Sequence, residues 1–257
     1  LQEVDIKSKR SQYINQVKWL LNYSELNYGA YASMWRADFV PSDGVGRVDT
    51  GNAVLSKWPI QEATRIALPL ISDQDFITQY FYLKRNILKV HTPLPAHPDF
   101  YVVATHTSAF SQDGTKKKQV DQFKEELDKL SNQGALFVAG GDLNTLAPGS
   151  ATVKEFPDSI CEDERFQADD YSDEVDWLEP LYGTYSPAIS LADYQSDNSS
   201  YFTHTVDKEG SWNRKLDYLF TNGGFQAGSG VTYQDEGTGL PTMPLSDHAP
   251  ISVTLEL

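Results

Sequence analysis

Five stretches carry polar residues of the kinds that do chemistry, each set against an apolar run. They are Glu3 in Leu1-Gln2-Glu3-Val4, His106 after Phe100–Thr105, and Asp142 with Asn144 in Gly140-Gly141-Asp142-Leu143-Asn144. The other two are Asp217 in Leu216-Asp217-Tyr218, and Asp247 with His248 in Ser246-Asp247-His248-Ala249-Pro250. Carboxylates can hold a hard cation or fix an imidazole, and an imidazole can carry a proton near neutral pH. Buried strands tolerate such groups when they are paired or liganded. Each has an ordinary explanation alone: a cap for Glu3, an Asx-turn for Asp142, a satisfied core histidine for His106, an ion pair with Arg214 or Lys215 for Asp217, a polar turn for the closing triplet. Five such groups at strand edges point instead to one shared pocket, because loops at strand ends are where sites collect in α/β sheets.

Composition narrows the chemistry. The formal net charge is −15 over 257 residues, which argues against a protein that binds nucleic acid by neutralising phosphates but not against an enzyme whose metal ion meets a phosphate. The single cysteine, Cys161, excludes an internal disulfide framework and a cysteine-rich zinc site. Oxygen donors with two histidines for proton transfer suit a hard divalent ion such as Mg²⁺, which takes one or two carboxylates and keeps waters. His91, His97 and His204 lie in loop-like or Pro-flanked sequence and read as surface residues. No apolar run approaches membrane-spanning length.

The elements that must position these groups follow from periodicity. A helix is expected over Ser8–Ser24, with Ile14, Val17, Leu20 and Leu21 on one face and Ser8 or Ser11 as cap. Strands are expected at Tyr28–Phe39, Gly51–Ser56, Ile66–Ile71, Tyr80–Val90, Phe100–Thr105, Ala135–Ala139 and Leu216–Phe220, with a turn-rich loop at 41–46. A second amphipathic helix, Lys116–Leu130, aligns Val120, Phe123, Leu127 and Leu130. The chain closes on a strand in which Ile251, Val253 and Leu255 alternate with polar residues. Residues 146–210 are the least periodic, acidic first and then rich in Tyr, Ser and Asn, and are expected to carry a substrate-specific surface. Strand, amphipathic helix, strand in this order indicates a mixed α/β class, and no linker-like break divides the chain, so a single domain over 1–257 is expected.

These motifs, together with Gly51-Asn52-Ala53-Val54-Leu55-Ser56, resemble those of the endonuclease/exonuclease/phosphatase family, with its DNase I-like fold, and stand in the family's order. The resemblance implies a four-layer αββα sandwich of two packed mixed β-sheets flanked by helices, and hydrolysis of a phosphate ester with Mg²⁺ or Mn²⁺. It implies that Glu3 is the principal metal ligand and Asp247 a second-site or water-mediated one. It implies that His248 handles the proton or contacts phosphate with Asp217 orienting it, that Asp142 deprotonates the attacking water, and that Asn144 holds a phosphate oxygen. His106 resembles the second imidazole, Asn52 a supporting hydrogen-bonding residue, and Arg85 a neutraliser of phosphate charge. Two features depart from the pattern. The family's opening strand, with its Asn, is expected upstream of Leu1. Thr78 stands seven residues before Arg85, where the DNase branch has a Glu that orients the histidine matching His106, while the repair-endonuclease branch has Tyr at His106 itself.

The expected substrate is a small or lipid phosphoester, the acidic balance and tyrosine-rich region favouring a headgroup or sugar. A nuclease is the alternative, with Lys116-Lys117-Lys118 beside His106 as a candidate phosphate contact against its reading as a solvated helix start. A non-catalytic binding module is disfavoured by the intact polar set. A monomer is expected, with a lean toward a secreted or periplasmic location.

Overall fold

A computed structural model describes residues 1–40, 46–109, 111, 113–156, 170–206, 210–234 and 242–257. The expected loop at 41–46, save Gly46, and Cys161 with the acidic residues Glu162, Asp163, Glu164 and Asp169, lie outside the described residues. The chain falls into two compact units, one of Leu1–Ser108 with Asp113–Gly141, the other of Asp142–Leu257 with Ala109–Gln112.

In the first unit, β1 (Val4–Asp5), β2 (Tyr28–Ala37) and β3 (Val48–Ser56) form an antiparallel sheet in the order β1-β3-β2. Helix α1 (Gln16–Tyr23) covers its outer face, Val17 packing with Val4 and Ala53 beside Leu21, Tyr31 and Leu55. This helix starts later than periodicity predicts. The Ser8 hydroxyl is occupied, donating to Asp5 Oδ1 at 2.8 Å and accepting from the Asp49 N–H at 2.9 Å. Gln12 and Tyr13 then take positive φ (54° and 62°), which ends the 3₁₀ turn Lys9–Ser11 and forbids a continuous helix. Asn15, accepting from the Lys18 N–H at 2.9 Å, is the actual cap.

The second sheet of this unit runs β4 (Glu62–Ala67), β5 (Asn86–His91), β6 (Phe100–His106), β7 (Leu136–Asp142). Alternation divides β5 between two faces. Leu88 and Val90 meet Ala30, Ala32, Val54 and Ala104 in the core between the sheets. On the other face Lys89 reaches Glu126 of α3 (Thr115–Asn132) at 3.8 Å, and α3 buries Val120, Phe123, Leu127 and Leu130 as its periodicity predicts. Helix, sheet, sheet, helix is therefore the layer order of this unit.

The expected strand at Tyr80–Val90 is corrected. Asp75 caps a short helix, α2 (Phe76–Phe81), by accepting from the N–H groups of Ile77 and Thr78, and pairing begins at Asn86. Thr78 sits exposed on that helix, its hydroxyl bound to Asp75. The strand expected at Ile66–Ile71 lies earlier, at Glu62–Ala67, because Pro69 cannot continue a ladder.

In the second unit, α4 (Glu179–Thr184), β8 (Ser186–Pro187), α5 (Leu191–Ser196) and β9 (Asp217–Thr221) precede β10 (Gly224–Phe225) and β11 (Val231–Thr232). The closing strand is not continuous. It divides into β12 (Ile251–Ser252), paired with β11, and β13 (Leu255–Glu256), paired with β10. Between them Thr254 turns its N–H to Ser229 Oγ at 3.1 Å and its carbonyl to the Gln226 N–H at 2.8 Å, which redirects the chain to a new partner. Leu146, Phe156, Tyr171 and Leu216 form a core cluster of this unit.

Gly141 lies two residues after Ala139 at the end of β7 with φ 139°, and a Cβ there would meet the Thr105 carbonyl oxygen at 2.0 Å. A side chain must therefore both strain the backbone and push β6 away. Gly141→Ala is expected to cost about 2 kcal/mol or more, as overpacking at a positive φ does. Urea denaturation checks it; an unchanged midpoint would contradict the close approach.

Candidate active site

The site in the second unit is built by the Asp142–Asn144 turn and three further short chain segments. Thr203 stitches them, its Oγ1 accepting from the N–H groups of Leu216 and Asp217 (3.0 and 3.1 Å) and its carbonyl from the Ala249 N–H at 2.7 Å. The Thr205 N–H reaches the Asp247 carbonyl at 3.2 Å. These bonds flank the antiparallel pair His204–His248, which is thus a non-hydrogen-bonded pair, the kind that brings facing side chains closest. The two imidazole rings lie 4.5 Å apart, centroid to centroid, inclined at 47°.

His248 Nδ1 binds Asp217 Oδ2 at 2.7 Å, which fixes the ring and leaves Nε2 facing Asp142 Oδ2 at 3.7 Å. The pairing of Asp217 with Arg214 or Lys215 is not what forms; Lys215 is buried and donates to the Asp217 backbone carbonyl at 2.9 Å. Asp142 does close an Asx-turn, Oδ1 accepting from the Asn144 N–H at 2.9 Å, and Oδ2 also accepts from Asn144 Nδ2 at 3.1 Å. The turn and the site are the same structure. Asn144 takes φ 48° to make it, a conformation Asn tolerates better than most residues.

Burial alone would lower the His248 imidazole, but the charge and hydrogen bond of Asp217, with Asp142 and Asp247, outweigh it and raise it from 6.5 to about 10. Its neighbour moves the other way. Burial first, then the charges of His248 and Arg214, push His204 down to about 4. At neutral pH the pair is one imidazolium against one neutral ring. A raised histidine contributes stability that is complete below its unfolded value of about 6.5 and is lost as pH rises through about 10. The lowered His204 contributes stability that is present above about 6.5 and is lost as pH falls through about 4.

His204 is the residue that sequence reading missed. It is 9% exposed, not a surface histidine, and its Nδ1 has no hydrogen-bond partner among the described residues. The signal was available in Tyr201-Phe202-Thr203-His204-Thr205-Val206, an aromatic and β-branched run with buried threonines on both sides of the histidine. His91 and His97 are partly exposed, His91 stacking on Tyr101 at 4.7 Å.

The remaining candidates lie in the first unit. The Glu3 side chain is half exposed, with φ 52°, and Arg10 Nη2 stands 3.6 Å from it while also binding the buried Asp5. Asn52 is fully buried, its Nδ2 donating to the Asn86 carbonyl at 3.0 Å between the two sheets. His106 is buried at the end of β6. Arg85 is buried as well, its Nη1 against Met34 Sδ at 3.4 Å. The basic run at the start of α3 is not a solvated or phosphate-facing row. Lys116 is buried and Lys117 is paired with Asp121, leaving Lys118 exposed.

Residues 1–248 match the sequence pattern of the Endonuclease/Exonuclease/phosphatase family. The chain belongs to that family. Its structure is similar to an endonuclease/exonuclease/phosphatase from Beutenbergia cavernae (TM-score 0.66, 19% identity, all of this chain and 61% of that one). It is also similar to truncated TDP2 of Caenorhabditis elegans (0.54, 18%, 100% and 83%) and to a mannosyl-6-phosphatase of Bacteroides thetaiotaomicron (0.52, 14%, 94% and 81%). The chain thus spans about three fifths of the Beutenbergia protein. No curated protein matches it. The fold is the DNase I-like α/β sandwich of mixed sheets with flanking helices. Members of the family are phosphoester hydrolases and typically use divalent metals. Among the described residues, no helix is long and apolar enough to cross a membrane.

Two carboxylates are of the type that hard cations take together with water: Glu3 in the first unit, half exposed, and Asp247 in the second, exposed. His204, Asp247 and His248 also bring ligand atoms within 4.8 Å of one another.

In a metal-free NMR titration, His204 is expected to protonate near pH 4 and His248 to release its proton near pH 10. Asp217→Asn should bring His248 down toward the ordinary 6.5. Two histidines both titrating near 6.5 in the unaltered protein would refute the paired arrangement.

Proposed function

We propose that this protein is a Mg²⁺- or Mn²⁺-dependent hydrolase of a small or lipid phosphoester, with the Asp217–His248 pair as its proton-handling centre. The observation that carries this reading is the 2.7 Å bond from Asp217 to His248 Nδ1, with Asp142 at 3.7 Å from Nε2. Phosphoester hydrolysis needs an in-line water, charge stabilisation on the non-bridging oxygens and a proton for the leaving oxygen. His248, held as imidazolium, directs its Nε2–H at the phosphoryl group, supplies positive charge there and gives that proton to the departing oxygen as its bond to phosphorus breaks. Asp217 keeps that ring oriented and charged. Asp142 takes the proton of the attacking water, and Asn144, whose backbone N–H and amide both bind Asp142, holds that carboxylate in place and keeps the phosphate-oxygen role that the resemblance implies.

Glu3 is assigned as the principal ligand of the cation and Asp247 as the ligand of a second position. When bound, the cation would supply Lewis-acid stabilisation of phosphoryl charge. For His106, Asn52 and Arg85 we keep, as part of the proposal, the supporting roles that the resemblance implies.

A small or lipid ester is favoured over nucleic acid. The net charge is −15, and burial of Lys116 with pairing of Lys117 removes the basic row a nuclease would lay along a phosphate backbone. Among fold neighbours, the mannosyl-6-phosphatase is compatible with a sugar phosphate.

The test is hydrolysis of p-nitrophenyl phosphate, bis-p-nitrophenyl phosphate, a sugar phosphate, phospholipid and plasmid DNA, with Mg²⁺ and with EDTA. EDTA-sensitive turnover of a small or lipid ester is expected, and His248→Ala should lower it by about 10²–10⁴-fold. No turnover of any ester, or turnover indifferent to His248→Ala, would overturn the reading.

A further inference from the structure

The imidazole pair is more than the proposed chemistry uses. Asp217 accounts for His248, yet His204 is nine-tenths buried against it with an Nδ1 that has no hydrogen-bond partner among the described residues. A buried, unsatisfied ring nitrogen costs free energy unless something fills the position beside it. Asp247, an exposed residue, contributes a carboxylate oxygen, and this oxygen, one ring nitrogen of His204 and one of His248 lie within 4.8 Å of one another.

We propose that His204, Asp247 and His248 form a binding site for a borderline-soft divalent cation such as Zn²⁺, and that filling it inhibits the enzyme by occupying the His248 imidazole. The inhibitory half rests on the function proposed above; the binding half does not.

The chemistry of the donors selects the ion. Two imidazoles and one carboxylate suit Zn²⁺, which accepts nitrogen at about 2.0–2.1 Å in a tetrahedral set. Mg²⁺ takes oxygen and holds its waters, so the imidazole pair does not suit it. Asp217 at 2.7 Å on His248 Nδ1 leaves Nε2 as the ligating atom and makes the carboxylate–histidine–metal arrangement that orients and strengthens imidazole ligands. Binding displaces the Nε2 proton to solvent, and the ion takes the lone pair that remains. The non-hydrogen-bonded pairing of residues 204 and 248 holds both rings to one face in advance, so that rotation of the Asp247 side chain closes the set onto one ion.

The test uses the whole chain with Co²⁺ as a spectroscopic stand-in and Zn²⁺ as competitor. The expected result is a tetrahedral Co²⁺ absorption band that saturates at one equivalent, is abolished by Zn²⁺ and survives excess Mg²⁺. Affinity should fall at least ten-fold in His204→Phe and in Asp247→Asn, the second change being at an exposed residue. The Zn²⁺ concentration that halves hydrolysis should rise at least ten-fold in His204→Phe. Unchanged Co²⁺ affinity in both variants, or no band in the unaltered protein, would overturn the cation site. A protein that hydrolyses nothing but shows the band and its loss would sink the proposed function and leave the cation site standing.

Discussion

The structure of the site depends on one bond, the contact between the Asp217 carboxylate and the His248 ring. A carboxylate and an imidazole in a partly buried place are costly apart and stable together. Everything nearby serves that contact. Thr203 fixes the start of β9 through two backbone donors and fixes Ala249 through its own carbonyl, so the two residues that must meet are carried on segments tied to a common strut. The same pairing sends Nε2 outward to Asp142, whose own geometry is held by the turn it closes with Asn144. The orientation and the charge of the His248 ring are thus set by residues far apart in sequence.

The electrostatics follow from that arrangement. Three carboxylates around His248 keep it charged against the effect of burial, and burial, with the charge on His248, keeps His204 neutral. Two identical side chains in contact take opposite protonation states because their surroundings differ, the usual route by which one site obtains both a proton donor and a free lone pair at the same pH.

Much of this was legible in the sequence. Asp142, Asp217 and His248 stood out because isolated polar residues at the ends of apolar strands need partners, and they prove to be one another's. Helix α3 and the β6 and β7 strands were readable because long amphipathic periods and short β-branched runs are strong local signals. The failures share a cause as well. Tyr80–Val90 read as one strand because its aromatic and β-branched content masked the cap at Asp75 that precedes it. Ser8 read as a helix cap because nothing local reveals that Asp5 and Asp49 claim its hydroxyl. The closing strand read as continuous because alternation says nothing of a change of partner at Thr254. His204 was passed over because histidine in a loop-like setting is usually solvated, and its burial is decided by residues 214 and 248, which pair with it from elsewhere in the chain. Local pattern names the groups that need partners; tertiary pairing decides which partners they get.

In the proposed chemistry Asp217 acts through His248 and not independently of it. A double-mutant cycle on kcat with Asp217→Asn and His248→Gln measures this directly, since residues that act as a unit are strongly non-additive. The double variant is expected to be no slower than His248→Gln alone. Losses that multiply would contradict it, because Asp217 would then be contributing to the reaction by a route that does not pass through the histidine.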